Sequence, residues 1–215
     1  MSKPDSRSNR QGRYWDRLAK RYAKSPIADQ AAYEKKLEVT RSHFPPAARV
    51  LEFGCGTGAT AILHAPYAGE IWATDLSARM IEIARARAEA DGVTNVRFEQ
   101  ADIDTLSAAR DSFDVVMGMS ILHLVPDRDR VVKKAFGLVK PGGVFVSSTI
   151  CMTDAFGWFR YAGPIGKAIG LFPDVQMFTK VELIDSICAA GFEIDHEWQP
   201  GPKAAVFIVA RRPAV

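Results

Sequence analysis

The 215-residue sequence predicts an α/β fold: a doubly wound sheet, mostly parallel, with an antiparallel C-terminal strand. Three observations predict it. Short apolar runs alternate with helical patterns from Arg49 onward, which is how a parallel sheet with helices on both faces reads. The first run, Val50-Leu51-Glu52-Phe53, enters Gly54-Cys55-Gly56-Thr57-Gly58, a tight turn from a buried strand into a helix. The last two runs, 192–198 and 205–210, are joined through Pro200-Gly201-Pro202, too short a link for a helical crossover.

Local signals set each element in turn. The first dozen residues are polar, rich in Ser, Arg and Asn, and read as a disordered leader. A helical pattern starts near Tyr14, with Trp15, Leu18, Ala19 and Tyr22 on one side, and Ser25-Pro26 interrupts it. A second helix, about 30–42, carries Tyr33, Leu37 and Thr40 and ends at Pro45-Pro46. The first strand is placed at 49–53 and its helix at 57–65. The second strand, 70–74, leads to Asp75. Ser77 then caps a helix to about Ala90 that turns Ile81, Ala84 and Ala88 inward and stops at Gly92. Strands three and four fall at 95–99 and 113–118. A helix over 127–139 meets Lys140-Pro141-Gly142-Gly143, where the chain is expected to reverse into a fifth strand, 144–148. Thr179 and Glu182 predict a capping box for the last helix, which Gly191 closes. The organisation is thus a basic arm with lid helices (1–44) and one domain (45–215) carrying an aromatic insertion at about 151–178.

Composition narrows the function classes. With 47% hydrophobic and 25% charged residues the chain reads as an ordinary globular protein. No apolar run approaches the ~20 residues that span a bilayer, and the first residues lack the apolar core of a secretory signal. Three widely spaced cysteines argue against a disulfide framework or a metal site and fit a cytoplasmic protein. The net charge of +3 conceals an asymmetry: residues 1–24 hold eight cations against Asp5 and Asp16, leaving the rest at −3. Such an arm suits acidic partners or the inner face of a membrane, as a peripheral contact. The acidic remainder argues against nucleic acid as a partner.

The glycine turn points to a nucleoside ligand. Gly54, Gly56 and Gly58 let a ligand lie against bare backbone, and Asp75 follows Gly54 by 21 positions, a spacing that suits a carboxylate gripping ribose hydroxyls. A dinucleotide turn places its third glycine three residues after the second, but here the interval is two. Glu52, just before the turn, would repel a pyrophosphate and attract a cationic ligand.

The string Glu52-Phe53-Gly54-Cys55-Gly56-Thr57-Gly58, with Asp75 correctly placed, resembles the first motif of class I S-adenosylmethionine-dependent methyltransferases of the small-molecule type. The similarity extends over about 45–210, including Leu138 to Gly143 and Phe178 to Leu183, and implies a Rossmann-like sheet. It also implies roles. Gly54 and Gly56 would underlie the methionine part of S-adenosylmethionine, with Glu52 close to its positive charge. Asp75 would hold the ribose, Leu76 and Met80 would flank the adenine, Asp102 would accept from its amino group, and Ile103 would cover the ring. Met119 would lie near the sulfonium, and Tyr22 or Tyr33 would close over the carboxylate. The product would be S-adenosylhomocysteine.

Methyl transfer demands positioning and exclusion of water more than acid–base chemistry. His123, just past strand four, is the candidate base for an acceptor that must lose a proton, and packing or orienting roles suit it equally. Aromatic residues at 156–178 predict a lid over a small or amphipathic acceptor, either a soluble metabolite or a phospholipid head group. A non-catalytic nucleotide-binding module is the alternative from outside the enzymes.

Overall fold

A computed structural model of the chain describes residues 6–157 and 173–214. It contains α1 (Ser6–Tyr22), α2 (Gln30–Arg41), β1 (Arg49–Phe53), α3 (Ala59–His64), β2 (Glu70–Asp75) and α4 (Ala78–Ala90). These are followed by β3 (Val96–Gln100), β4 (Phe113–Met119), α5 (Arg128–Leu138), β5 (Val139–Thr149) and α6 (Met152–Phe156). The chain ends with α7 (Lys180–Ala189), β6 (Glu193–Trp198) and β7 (Val206–Arg211). Seven strands form one sheet in the order β3-β2-β1-β4-β5-β7-β6. All pairs from β3 to β5 are parallel, while β7 runs antiparallel to both β5 and β6, as the short Pro-Gly-Pro connection requires. The strand order reverses between β1 and β4, which puts the ligand-binding crevice above their carboxyl ends.

Alternation along the strands splits the core in two. Leu51, Phe53, Val116, Phe145 and Ile208 face one side, where Val131, Leu138, Leu183 and Ile187 of α5 and α7 cover them. Val50, Ile71, Val115, Met117, Val146 and Phe207 face the other, against Ala61 of α3 and Ile81, Ala84 and Ala88 of α4. Glu52 lies on this second face, the one acid among the largest fully buried side chains. Ser77 and Thr179 cap their helices as the sequence indicates, with the reciprocal Thr179–Glu182 box complete, and Asp29 and Asp127 cap α2 and α5 in the same way.

Three sequence expectations are corrected. The leader is not disordered from residue 6 on, because α1 starts at Ser6, well before Tyr14. Tertiary contacts hold it: Gln11 Nε2 donates to the Leu124 carbonyl at 2.6 Å, and Gly12 lies so close that a Cβ would stand 3.0 Å from the Leu76 carbonyl oxygen. Pro141-Gly142-Gly143 does not turn the chain into β5 but bulges within it. Phe113 opposes Val139 and Val115 opposes Val144, so Lys140 to Gly143 loop out of the ladder. The Gly142 amide there donates to the Arg212 carbonyl at 2.9 Å, which ties the bulge to the chain end beyond β7. Finally, α3 begins at Ala59, two residues late, because Gly58 is left-handed (φ 79°) and serves as its first flanking residue. Of the predicted aromatic lid, Trp158, Phe159, Tyr161 and Phe172 lie outside the described residues, while Phe178 is buried in the core.

Candidate functional site

A cleft open to solvent lies at the reversal point between β1 and β4. Its floor is Phe53, Gly54 and Gly56 from the end of β1. Asp75, Leu76 and Met80 form the wall from β2 and α4, Asp102, Ile103 and Asp104 that from β3, and Met119, Ser120 and Ile121 that from β4. Gln11, Trp15 and Tyr22 of α1 close the remaining side. Independent segments therefore converge as the sheet topology dictates.

The turn is fixed by its own backbone and by Asp75. Gly54, Gly56 and Gly58 all adopt positive φ (67°, 54° and 79°), a conformation that side-chain-bearing residues rarely take. The Asp75 carboxylate accepts the Gly56 amide at 2.9 Å through Oδ2 and the Ser77 amide at 2.8 Å through Oδ1. Since an ionised carboxylate has about four acceptor sites, lone pairs remain for ligand hydroxyls. Burial lifts the Asp75 pKa above its ordinary value, and the two amides oppose that shift. The Cys55 thiol, buried beside Glu52 and Asp75, is held well above the usual thiol range and stays protonated, so it is no nucleophile.

Glu52 does not line the cleft but stands behind it, 1% exposed, with Oε2 lacking a hydrogen-bond partner among the described residues. Burial, reinforced by the Asp75 charge, pushes its pKa up to about 8, so the carboxyl is largely neutral at pH 7. An orphaned buried carboxyl is costly. A cationic group in the adjacent cleft would relieve it. The lining is compatible with a sulfonium- and ammonium-bearing nucleoside: Asp75 has open lone pairs for a ribose, Leu76, Met80 and Ile103 offer apolar surface for a flat ring, and Glu52 stands behind the glycine turn.

Nine of the predicted residues line the cleft: Gly54, Gly56, Asp75, Leu76, Met80, Asp102, Ile103, Met119 and Tyr22. Tyr33 does not, and its hydroxyl pairs instead with Thr60 Oγ1 at 3.1 Å. His123 is not among the lining residues either. Burial lowers its pKa to about 4, its Nδ1 lacks a partner among the described residues, and its carbonyl accepts the Gln176 amide at 2.7 Å. Sequence reasoning missed Gln11 and Asp104, and placed Trp15 on a helix face without assigning it to the cleft. It put Ser120 in the segment after strand four at the ligand edge but could not read its left-handed φ of 56°, or that its amide donates to the Ser148 carbonyl at 2.6 Å. Backbone strain of this kind is concentrated at ligand sites and has no sequence signature in a serine. Among the described residues no group of three or more His, Cys, Asp or Glu is placed to hold a metal ion.

Comparison with known proteins agrees with this geometry. Residues 45–196 match the family model of a methyltransferase domain. An uncharacterized methyltransferase, YcgJ of Bacillus subtilis, is 35% identical over 98 residues, 46% of this chain and 39% of that protein. A ubiquinone biosynthesis O-methyltransferase of Coxiella burnetii is 34% identical over 101 residues, 47% of this chain and 43% of that protein. The matched stretch thus spans about two fifths of these relatives' length. Among solved structures, the [4+2]-cyclase SpnF shares the fold over 97% of each chain at a TM-score of 0.80 and 19% identity. An S-adenosylmethionine-dependent methyltransferase from Mesorhizobium loti shares it over 81% of this chain and 96% of that one, at 0.68 and 24%. With the family match spanning the glycine turn, Asp75 and the rest of the cleft from β1 to β4, the chain belongs to the methyltransferase domain family and has the class I, S-adenosylmethionine-dependent architecture.

Proposed function

We propose that this protein transfers a methyl group from S-adenosylmethionine to a small or amphipathic acceptor by in-line displacement. The observation that carries the reading is the pairing of an orphaned buried carboxyl, Glu52, with a preformed glycine turn held by Asp75. Bound in the cleft, S-adenosylmethionine supplies a methyl group activated on a sulfonium, with a neutral thioether as the leaving group.

In this reading Gly54 and Gly56 bring bare backbone beneath the methionine moiety, and Glu52 ionises to balance its charge. Asp75 accepts from the ribose, Leu76, Met80 and Ile103 enclose the adenine, and Asp102 accepts from its amino group. Met119 borders the reacting centre, while Tyr22 and Trp15 exclude water from the side. Where the acceptor is a hydroxyl, His123, uncharged at neutral pH and outside the cleft lining, is the side chain to test as its base. The relative named for ubiquinone biosynthesis suggests an aromatic hydroxyl as the first acceptor to test. A phospholipid amine is the second reading, favoured by the basic outer side of α1 beside the cleft mouth.

Because a cyclase shares the fold, architecture alone does not carry the reaction. Incubating the protein with methyl-labelled S-adenosylmethionine and, separately, a catechol or phosphatidylethanolamine vesicles tests it. Label in either acceptor supports transfer. Calorimetry that detects neither S-adenosylmethionine nor S-adenosylhomocysteine, with folded protein, ends the reading.

A further inference from the structure

α1 has a second face that the cleft does not use. At about 100° per residue, Arg10, Arg13, Arg17, Lys20 and Arg21 form one exposed stripe, continued by Lys24 in the following turn. None of the six has a carboxylate partner among the described residues. The one acid within α1, Asp16, points inward, accepting from Ser77 Oγ at 2.6 Å and the Arg79 amide at 3.0 Å. The stripe is therefore uncompensated within its own helix. Going round α1 from this stripe towards the cleft, Tyr14 and Leu18 come next, then Gln11, Trp15 and Tyr22, which line the cleft itself. Between Arg17 and Arg21 lies a shallow hollow walled by Tyr14 and Leu18.

We propose that α1 seats the protein on an anionic lipid bilayer, with the stripe on the headgroups and the cleft mouth beside the surface. The order of side chains favours a bilayer over a nucleic acid. Cations border an aromatic and an aliphatic residue at the depth where a headgroup layer gives way to acyl chains. Five cations on α1, with Lys24 in the turn after it, add electrostatic attraction that salt screens. The proposal goes beyond the reaction assigned above, and its test reads binding rather than turnover.

The full chain is mixed, in about 0.15 M salt, with phosphatidylcholine vesicles with and without about 30% phosphatidylglycerol, and bound protein is sedimented. Binding is expected only with phosphatidylglycerol and is released by about 1 M salt. The triple variant Arg13→Gln/Arg17→Gln/Arg21→Gln weakens partitioning roughly 100-fold, and the charge-reversing triple change to Glu weakens it further. S-adenosylhomocysteine affinity, measured in parallel, stays at the parent value in both variants. Equal binding to neutral vesicles, absence of binding to either, or a Gln variant that binds like the parent overturns the proposal. So does tighter binding to a short DNA duplex than to the anionic vesicles at the same salt.

Discussion

The Gly56 amide donates to the Asp75 carboxylate at 2.9 Å, locking the turn after β1 to the end of β2. The other carboxylate oxygen takes the Ser77 amide at 2.8 Å at the start of α4, so one side chain organises floor and wall together. Replacing Asp75 by Ala strands two amides, each at a cost of about 1–3 kcal/mol. The thermal midpoint should fall by at least about 4 °C, and S-adenosylhomocysteine affinity in calorimetry should fall at least about tenfold. Asp75→Asn, which keeps one acceptor, should recover part of the stability and little of the affinity.

Glu52 gives the fold a pH signature. Its folded pKa of about 8 exceeds the ordinary glutamate value of 4.5, so the folded state holds the proton more tightly. Stability from this group is complete below pH 4.5 and is lost as pH rises through 8. Glu52→Gln should therefore melt a few degrees above the parent at pH 9, with the gain fading towards pH 5. The same variant should bind S-adenosylmethionine more weakly. Thermal scans across that range, with and without ligand, check both halves.

Glycine substitutions separate backbone strain from crowding. Gly201 has open space around its missing Cβ, and Gly201→Ala should be near neutral. Gly92 is equally open but has a φ of 66°, so Gly92→Ala should cost about 1–2 kcal/mol. Gly58 combines a φ of 79° with a Cβ position 2.8 Å from Ala84 and Phe98, and Gly58→Ala should cost roughly 2–5 kcal/mol. Denaturant unfolding of the three variants gives the ranking.

His123 has a folded pKa of about 4 against an ordinary 6.5, so its contribution to stability is lost as pH falls from 6.5 through 4. His123→Ala should flatten that acid limb. It should also cut turnover on a hydroxyl acceptor at least about tenfold while leaving S-adenosylhomocysteine affinity unchanged. Unaltered turnover removes the base role and leaves a packing residue.

Much of the site was legible because parallel sheets collect ligand residues at strand ends, and each strand end carried its own local mark. Three glycines, an acid after the second strand, Asp102-Ile103 and Met119 could be placed without knowing which strands pair. Elements set by neighbours distant in sequence were not legible. The polar start of α1 looks unable to fold alone, and its helix is held through Gln11, Gly12 and Asp16 against residues more than sixty positions away. Pro141-Gly142-Gly143 reads locally as a reversal, yet the Gly142 amide finds Arg212 and the strand continues around the bulge. Nor was it legible that His123 lies outside the cleft lining, or that its carbonyl accepts the Gln176 amide from 53 positions on.

Asp16 completes the beginning of α4 from a helix that also walls the cleft. A fused partner or competing anion that pries α1 away would uncover that side of the crevice and fray the start of α4 in a single step. Access to the groove and integrity of its framework thus share one latch, and its strength sets how long a guest stays.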